Sequence, residues 1–435
     1  MEVDLRSWNE DGRGRGEISG RTVLVTHGYP GERVTVIVDR AGRNVLQGRP
    51  TEVLHSIPGL RMPHPCAHEF SCTGCPFLSL SEDGEAQWKE QRIAGSLAAS
   101  GAEGMAFRLL RPGQPFGYRH LAKAIIGVSA GRVIWGSYRA STHELADNAG
   151  CPVLHPGLSE FMDGLCHRAS SMGLPVHGES NLGLKAVVAR RSRATGEMLA
   201  TFVITHPEGN LFREFAEACL SEGRGLVGVV MKRGLPGDNV LLRGDELIRL
   251  GRAEIEEELL GYRHRLGPES FFQINPLAAE VLFQEAIELV PPASSALEGY
   301  AGVGALTLPL LRRTGRVHAI EADPHAAATL LRLERPGFTA EQASVPDVIA
   351  ARLASGTFDV CVFDPPRRGL HDPVILALAA RPVSTLVLLH CSLDAFERDS
   401  RALSEIGYAL DTTLGVDQFP RTAHVEMVSR FRRRA

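Results

Sequence analysis

The chain has 435 residues, 44% of them apolar and 23% charged, enough to bury a large core in two or three domains. Its formal charge of −4 excludes the global signature of a nucleic-acid binder, so any such surface must be local; only four of its 47 basic residues are lysines (Lys89, Lys123, Lys185, Lys232). The charged start has no apolar leader core and no apolar run approaches the ~18 residues of a membrane span, so a cytoplasmic enzyme is expected, whose eight cysteines bind metal, react or pack rather than pair.

Residues 1–56 alternate β-branched runs (Thr22–Thr26, Arg33–Val38) with Gly and Pro turns, which predicts a small N-terminal β-barrel. A cysteine-rich loop follows from Pro63 to Cys75, then a predicted helix over Glu85–Ala99. Hairpin patterns flank Ala130-Gly-Arg132 and Ala194-Thr-Gly196, so the segment 57–262 reads as an antiparallel α+β middle domain. From 263 to 435, short apolar strands (Ala296–Gly299, Val317–Glu321, Phe358–Phe363, Thr385–His390) alternate with amphipathic helices, the pattern of a parallel, doubly wound α/β sheet.

The segment Leu297-Glu-Gly-Tyr-Ala-Gly-Val-Gly-Ala305 ends one of those strands in a glycine turn, where Gly302 and Gly304 allow close approach of backbone to a ligand. Glu321 ends the next strand, seventeen residues after Gly304, and suits the two hydroxyls of a ribose. A nicotinamide fingerprint wants a third glycine where Thr307 stands, so S-adenosylmethionine is the better fit. An ordinary strand-to-helix turn with a surface Glu is the plainer alternative.

Asp364-Pro-Pro-Arg-Arg-Gly369 follows the strand ending at Phe363, at the carboxyl edge of the sheet where such folds bind ligands. Methyltransferases acting on exocyclic amines carry an aromatic residue after the two prolines of a related turn, and Arg367 in that place disfavours their chemistry. Cys391 ends the next strand. Carbon 5 of uracil is a poor nucleophile until a thiolate adds to carbon 6, and the proton on carbon 5 must later leave to a base. Cys391 is the candidate thiolate and Glu426, in the C-terminal strand, the candidate base; His390 and Arg398 are the groups near it in sequence that are candidates for favouring the thiolate. Taken singly, Cys391 reads as a packed strand-end cysteine like Cys166, Cys219 and Cys361, and Glu426 as a solvated strand residue.

Together these residues resemble the RNA uracil-C5 methyltransferase family along nearly the whole chain. The segment Phe271-Phe-Gln-Ile-Asn275 is similar to a Phe-Gln-x-Asn motif of that family, which implies that Gln273 contacts S-adenosylmethionine along with Tyr300, Glu321 and Asp364, with Cys391 as nucleophile and Glu426 as proton acceptor. The first 56 residues resemble the RNA-binding TRAM domain, an OB-like barrel, although eight arginines there are matched by eight acidic residues. Cys66, Cys72 and Cys75 in a C-x5-C-x2-C spacing, with Cys151, resemble the ligands of a [4Fe-4S] cluster in family members; four-cysteine zinc is the rival from spacing alone.

The resemblance implies a Rossmann-like class I methyltransferase domain and an RNA substrate. Its barrel-plus-cysteine layout favours 23S rRNA, with transfer RNA position 54 as runner-up, and a monomer that binds no membrane is expected. Ala301 stands where the family usually has Cys, Ala305 where an Asn contact is common, and His390-Cys-Ser-Leu-Asp-Ala395 where Ser-Cys-Asn-Pro-x-Thr is favoured. These departures leave open a drifted target or a non-catalytic RNA-binding relative.

Overall fold

In the computed structural model, which describes residues 1–72, 74–139, 144–176, 183–205, 210–234 and 241–434, the β-branched runs of the N-terminal segment pair into a six-stranded sheet. Its spatial order is Glu2–Asp4, Arg33–Ala41, Val45–His55, Arg21–Val25, Gly14–Ile18, Ser7–Trp8, and only the pairing of Arg21–Val25 with Val45–His55 is parallel. Period-two alternation drives Val23, Val25, Val34, Val36 and Leu46 into one small core with Val3 and Leu5. Arg61 fastens the cysteine-rich loop to this sheet: its Nε donates to Glu32 Oε1 at 2.6 Å, its Nη2 donates to the His27 carbonyl, and its guanidinium stacks 4.5 Å from the Tyr29 ring.

The middle segment forms a seven-stranded sheet in the order Leu145–Asp147, Arg132–Tyr138, Leu121–Ser129, Gly183–Arg191, Met198–Thr205, Leu226–Arg233, Glu246–Gly251. The expectation of a purely antiparallel middle segment needs correction, because Met198–Thr205 and Leu226–Arg233 run parallel. The helix Leu211–Ser221 lies between them in sequence, and a crossover of this kind, unlike a tight hairpin, returns the chain in the same direction. That helix and Pro156–Ser171 bury Phe212, Phe215, Met162 and Leu165 against the sheet.

The third sheet has eight strands in the order Phe338–Gln342, Val317–Glu321, Ala296–Gly299, Val360–Phe363, Thr385–His390, Glu426–Arg433, Tyr408–Val416, Leu109–Leu110. The first five are parallel, as apolar runs separated by helices require. The doubly wound reading fails at the far edge, where Glu426–Arg433 is antiparallel to both its neighbours: the chain turns back there without a crossover helix. Chain order reverses between Ala296–Gly299 and Val360–Phe363, the switch point at which open α/β sheets leave a crevice beyond their strand ends. Lys89 and Asp417, both buried, form an ion pair at 2.7 Å.

By contact, the described chain divides into two compact units: residues 1–88 with 114–255 and 420–423, and residues 89–113 with 256–419 and 424–435. Among the described residues, no helix is long and apolar enough to cross a membrane.

Candidate active site

The glycine turn at the switch point is built on left-handed backbone. Gly302 and Gly304 have φ of 57° and 88°, and Tyr300, which has a side chain to clash, has φ of 63°. At Gly304 a Cβ would press on Leu330 and Leu333 at 3.0 and 2.9 Å, so this glycine lets the turn pack against its own domain. At Gly302 a Cβ would meet nothing within 4 Å, so this glycine faces open space that a ligand can share. Tyr300 packs edge-on to Phe363 with ring centroids 6.4 Å apart, and its buried hydroxyl has no hydrogen-bond partner.

Glu321 clasps the turn. Its Oε2 accepts the Gly302 N–H and its Oε1 the Asp323 N–H, each at 2.7 Å, which fixes the carboxylate and leaves further lone pairs for an outside donor. Gln273 is held differently: its side-chain oxygen accepts a hydrogen bond from the Gln418 amide. Two residues on, Asn275 donates to the Gln418 carbonyl at 3.0 Å and caps the helix Pro276–Leu289 by accepting the Ala278 N–H. Gln273 is thereby tied to the loop that leads into Glu426 rather than to the glycine turn.

Sheet register brings Asp364, Cys391 and Glu426 together. His390 is paired with Met427 at the last rung of the antiparallel ladder, and Cys391 and Glu426 are the next residues along the two chains. On the other side, Phe363 pairs with Leu388 in the parallel ladder, and Asp364 follows it at the same edge. The electrostatics agree with that proximity. Burial pushes the Cys391 thiol up to about 11, with Glu426 and Asp364 adding to the rise and Arg367 opposing it. Burial likewise lifts Glu426 to about 8, with Asp364 adding and Arg367 opposing, and lifts Asp364 to about 7.

Two residues that sequence reasoning did not select belong to this group. Arg367 is the cation that acts on both Cys391 and Glu426, whereas Arg398 spends its guanidinium on Asp399 and the Arg368 carbonyl. Its position in the Asp-Pro-Pro-Arg turn was the available signal. Glu298, one residue before the end of its strand, is buried with one carboxylate oxygen unpartnered, and burial, then the charges of Asp364 and Glu321, raise it to about 8. A carboxylate inside an apolar strand one residue ahead of a glycine turn is the mark that would have found it.

In the other unit, Cys66, Cys72, Cys75 and Cys151 are all half-buried. Burial raises the thiols of Cys66, Cys75 and Cys151, and the charge of neighbouring cysteines, Cys72 among them, adds to each rise, so the four lie within one another's field. The His68 N–H donates to Cys66 Sγ at 3.4 Å and the Gly74 N–H to Cys72 Sγ at 3.5 Å, contacts that favour charged sulfur. Among the described residues, no three His, Cys, Asp or Glu converge as the clasp of a single metal ion.

No family model matches the sequence. Proteins similar to it along nearly their whole length include an uncharacterized RNA methyltransferase of Listeria monocytogenes, 27% identical with 99% of this chain and 96% of the relative covered. Another is an uncharacterized RNA methyltransferase of Geobacter sulfurreducens, 28% identical with 99% and 89% covered. Among solved structures, the tRNA (uracil-54, C5)-methyltransferase of Pyrococcus abyssi, in complex with S-adenosyl-L-homocysteine, superposes with a TM-score of 0.77 at 23% identity, covering 99% of this chain and 100% of that one. Chain-long likeness to RNA methyltransferases and a shared α/β fold agree with the motifs: the protein is a methyltransferase, similar along its length to enzymes that act on RNA.

Proposed function

We propose that the protein methylates carbon 5 of a uridine in RNA, taking the methyl group from S-adenosylmethionine. The observation that supports this reading is that Cys391 and Glu426 come directly after the last paired residues, His390 and Met427, at the sheet edge that also bears Asp364, with the charges of Glu426 and Asp364 both acting on the Cys391 thiol. Cys391 adds as thiolate to carbon 6 of the ring, and the electron pair reaches carbon 5, which takes the methyl group from the sulfonium. Glu426 then accepts the proton of carbon 5, the ring double bond re-forms, and the carbon–sulfur bond breaks to return the thiolate. Arg367, which favours the charged forms of both groups, offsets part of their burial.

The turn of Tyr300, Gly302 and Gly304, with Glu321, Asp364 and Gln273, is assigned to the donor: Gly302 leaves the room, and Glu321 keeps lone pairs for ribose hydroxyls. The four cysteines are assigned to a [4Fe-4S] cluster. The resemblance of these cysteines to the cluster ligands of that family favours it over a single zinc ion, and the N–H···S contact at Cys66 suits a thiolate ligand. Bound there, the group would supply cross-linking of the loop to Cys151, and the steps above use none of its chemistry. Residues 1–56 are assigned as a TRAM-like barrel that contacts RNA, 57–262 as the cluster-bearing middle domain, and 263–435 as the catalytic domain, acting as a cytoplasmic monomer on 23S rRNA.

The deciding experiment replaces the target uridine by 5-fluorouridine. Fluorine cannot leave carbon 5 as a proton does, so the protein with S-adenosylmethionine should form an RNA adduct that survives denaturing gels and maps to Cys391. Parallel reactions on unmodified 23S rRNA and transfer RNA read the substrate. Absence of any adduct on either RNA, with methylation proceeding, defeats the proposal and points to an exocyclic amine instead.

The same groups set the pH dependence. Glu426 must be ionised to accept a proton and Cys391 must lose one, and both lie above their ordinary values, at about 8 and about 11. Activity therefore falls as pH drops through the Glu426 range, and kcat, which includes the proton loss, should climb by at least about tenfold from about pH 6.5 to about pH 8.5. A flat profile over that interval removes Glu426 from the role of base.

A further inference from the structure

His390, immediately before Cys391, is 1% exposed. Its Nε2 donates to Asp399 Oδ2, a carboxylate oxygen, at 3.1 Å, and its Nδ1 has no partner. A buried imidazole with one orphaned nitrogen is costly, even with its ring packed edge-on to Phe396 at 5.8 Å between centroids. Asp399, itself 1% exposed in the helix Leu393–Glu405, does more than hold His390. The same Oδ2 accepts the Leu370 N–H at 2.7 Å, and Oδ1 accepts from Arg398 Nη2 at 3.1 Å. Leu370 directly follows the Asp364–Gly369 turn, and Gly369 (φ 70°) admits the carboxylate, since any side chain there would run into Asp399. One carboxylate thus touches both the strand end that carries Cys391 and the turn that carries Asp364 and Arg367.

We propose that His390 and Asp399 are a positioning pair, which locks the end of the Cys391 strand to the Asp364–Gly369 turn so that the sulfur, Asp364 and Arg367 keep a single geometry. The inference rests on the reading of Cys391 as nucleophile. Its physical basis is that Cys391 lies at a strand end, where backbone pairing stops and the next element begins, so side-chain bonds must fix what the ladder no longer fixes. A bond from a charged acceptor to a ring on the preceding residue does so with few free torsions.

The test compares His390→Leu, which fills the space without a donor, with His390→Gln, whose amide N–H takes the place of Nε2–H. Adduct formation on 5-fluorouridine RNA is timed, and the KM for RNA and the affinity for S-adenosylmethionine are measured beside it. The Leu variant should form adduct about 10- to 100-fold more slowly, as a displacement near 1 Å at a reacting atom implies, with both binding constants within about twofold of wild type. The Gln variant should recover to within about threefold, which a role in packing alone does not provide. A Leu variant as fast as wild type, or a Gln variant as slow as Leu, overturns the pair alone. A wild type that forms no adduct overturns the nucleophile reading and the pair with it. Should the Leu variant not fold, His390→Phe takes its place, a ring of similar shape without a donor, and the same slowing is expected, with wild-type speed overturning the proposal.

Discussion

Cys391→Ala should lose methyl transfer by at least about 10⁴-fold, while its affinity for S-adenosylmethionine stays within about twofold of wild type. The asymmetry follows from where the residue sits. Cys391 is beyond the end of Thr385–His390 and only half-buried, so its truncation removes a reacting atom and very little core. The donor turn of Gly302, Gly304 and Glu321 is fixed by its own hydrogen bonds and does not use the sulfur. Without the thiolate, carbon 5 lacks the electron density to attack a methyl group, and no neighbour can substitute: the groups around the sulfur are Glu426, Asp364 and Arg367, none of them a soft nucleophile. Cys391→Ser should fare no better, because an alkoxide is far harder to form than a thiolate in a pocket that already disfavours charge. Radiolabelled methyl transfer with calorimetry of cofactor binding reads both quantities. Turnover by the Ala variant within tenfold of wild type, or an equal collapse of cofactor binding, defeats the assignment.

The parts of this site that were legible in the sequence are those where local pattern and function coincide. Ala296–Gly299, Val317–Glu321 and Thr385–His390 form as expected because a strand covered on both faces reads as an unbroken apolar run whose length is the strand's length. The run read as Phe358–Phe363 begins pairing only at Val360, since Asp359 turns its carboxylate to the N–H groups of Ser294 and Ser295 instead. Pairing between distant segments was not legible. Leu109–Leu110 joins the sheet edge beside Tyr408–Val416 with two residues, too few to show a period, and the parallel return of Leu226–Arg233 depends on a helix crossing that the hairpin signals did not encode. The charge relations were hidden for a similar reason. Arg367 and Glu298 gain their meaning from neighbours on other strands, and sequence proximity pointed instead to Arg398 and His390, whose bonds go to Asp399.

The departures beside the nucleophile also look different in place. Ser392, where the resembled family favours Asn, is the N-cap of Leu393–Glu405, its hydroxyl accepting the Ala395 N–H, and Ser and Asn are equally good caps. Leu393 replaces a proline at the first helical position, which any helix former fills at little cost. The helix start behind Cys391 is therefore preserved through changed residues, an argument against decay of the scaffold.

Glu426→Gln separates the two halves of the proposed reaction. At about 8, the Glu426 carboxyl is largely protonated near neutral pH, so a neutral amide of the same shape disturbs the buried site little and the variant should fold as wild type does. Addition of Cys391 to carbon 6 and methyl transfer to carbon 5 do not need the base. Loss of the carbon-5 proton does, and the sulfur cannot leave until that proton has gone. The variant should therefore methylate once and stop: ordinary uridine RNA, without fluorine, should accumulate as a methylated covalent adduct on Cys391, approaching one per protein, while steady-state turnover falls by about 10² to 10⁴-fold. A pocket in which Glu426 acts on the sulfur from the neighbouring strand predicts this trapped state, whereas Cys391→Ala gives neither adduct nor methyl transfer. Denaturing gels with labelled S-adenosylmethionine and labelled RNA count both parts of the adduct. A Gln variant that turns over at the wild-type rate shows that another group takes the proton; one that neither methylates nor forms adduct places Glu426 before the methyl transfer, as a group needed for addition rather than for release.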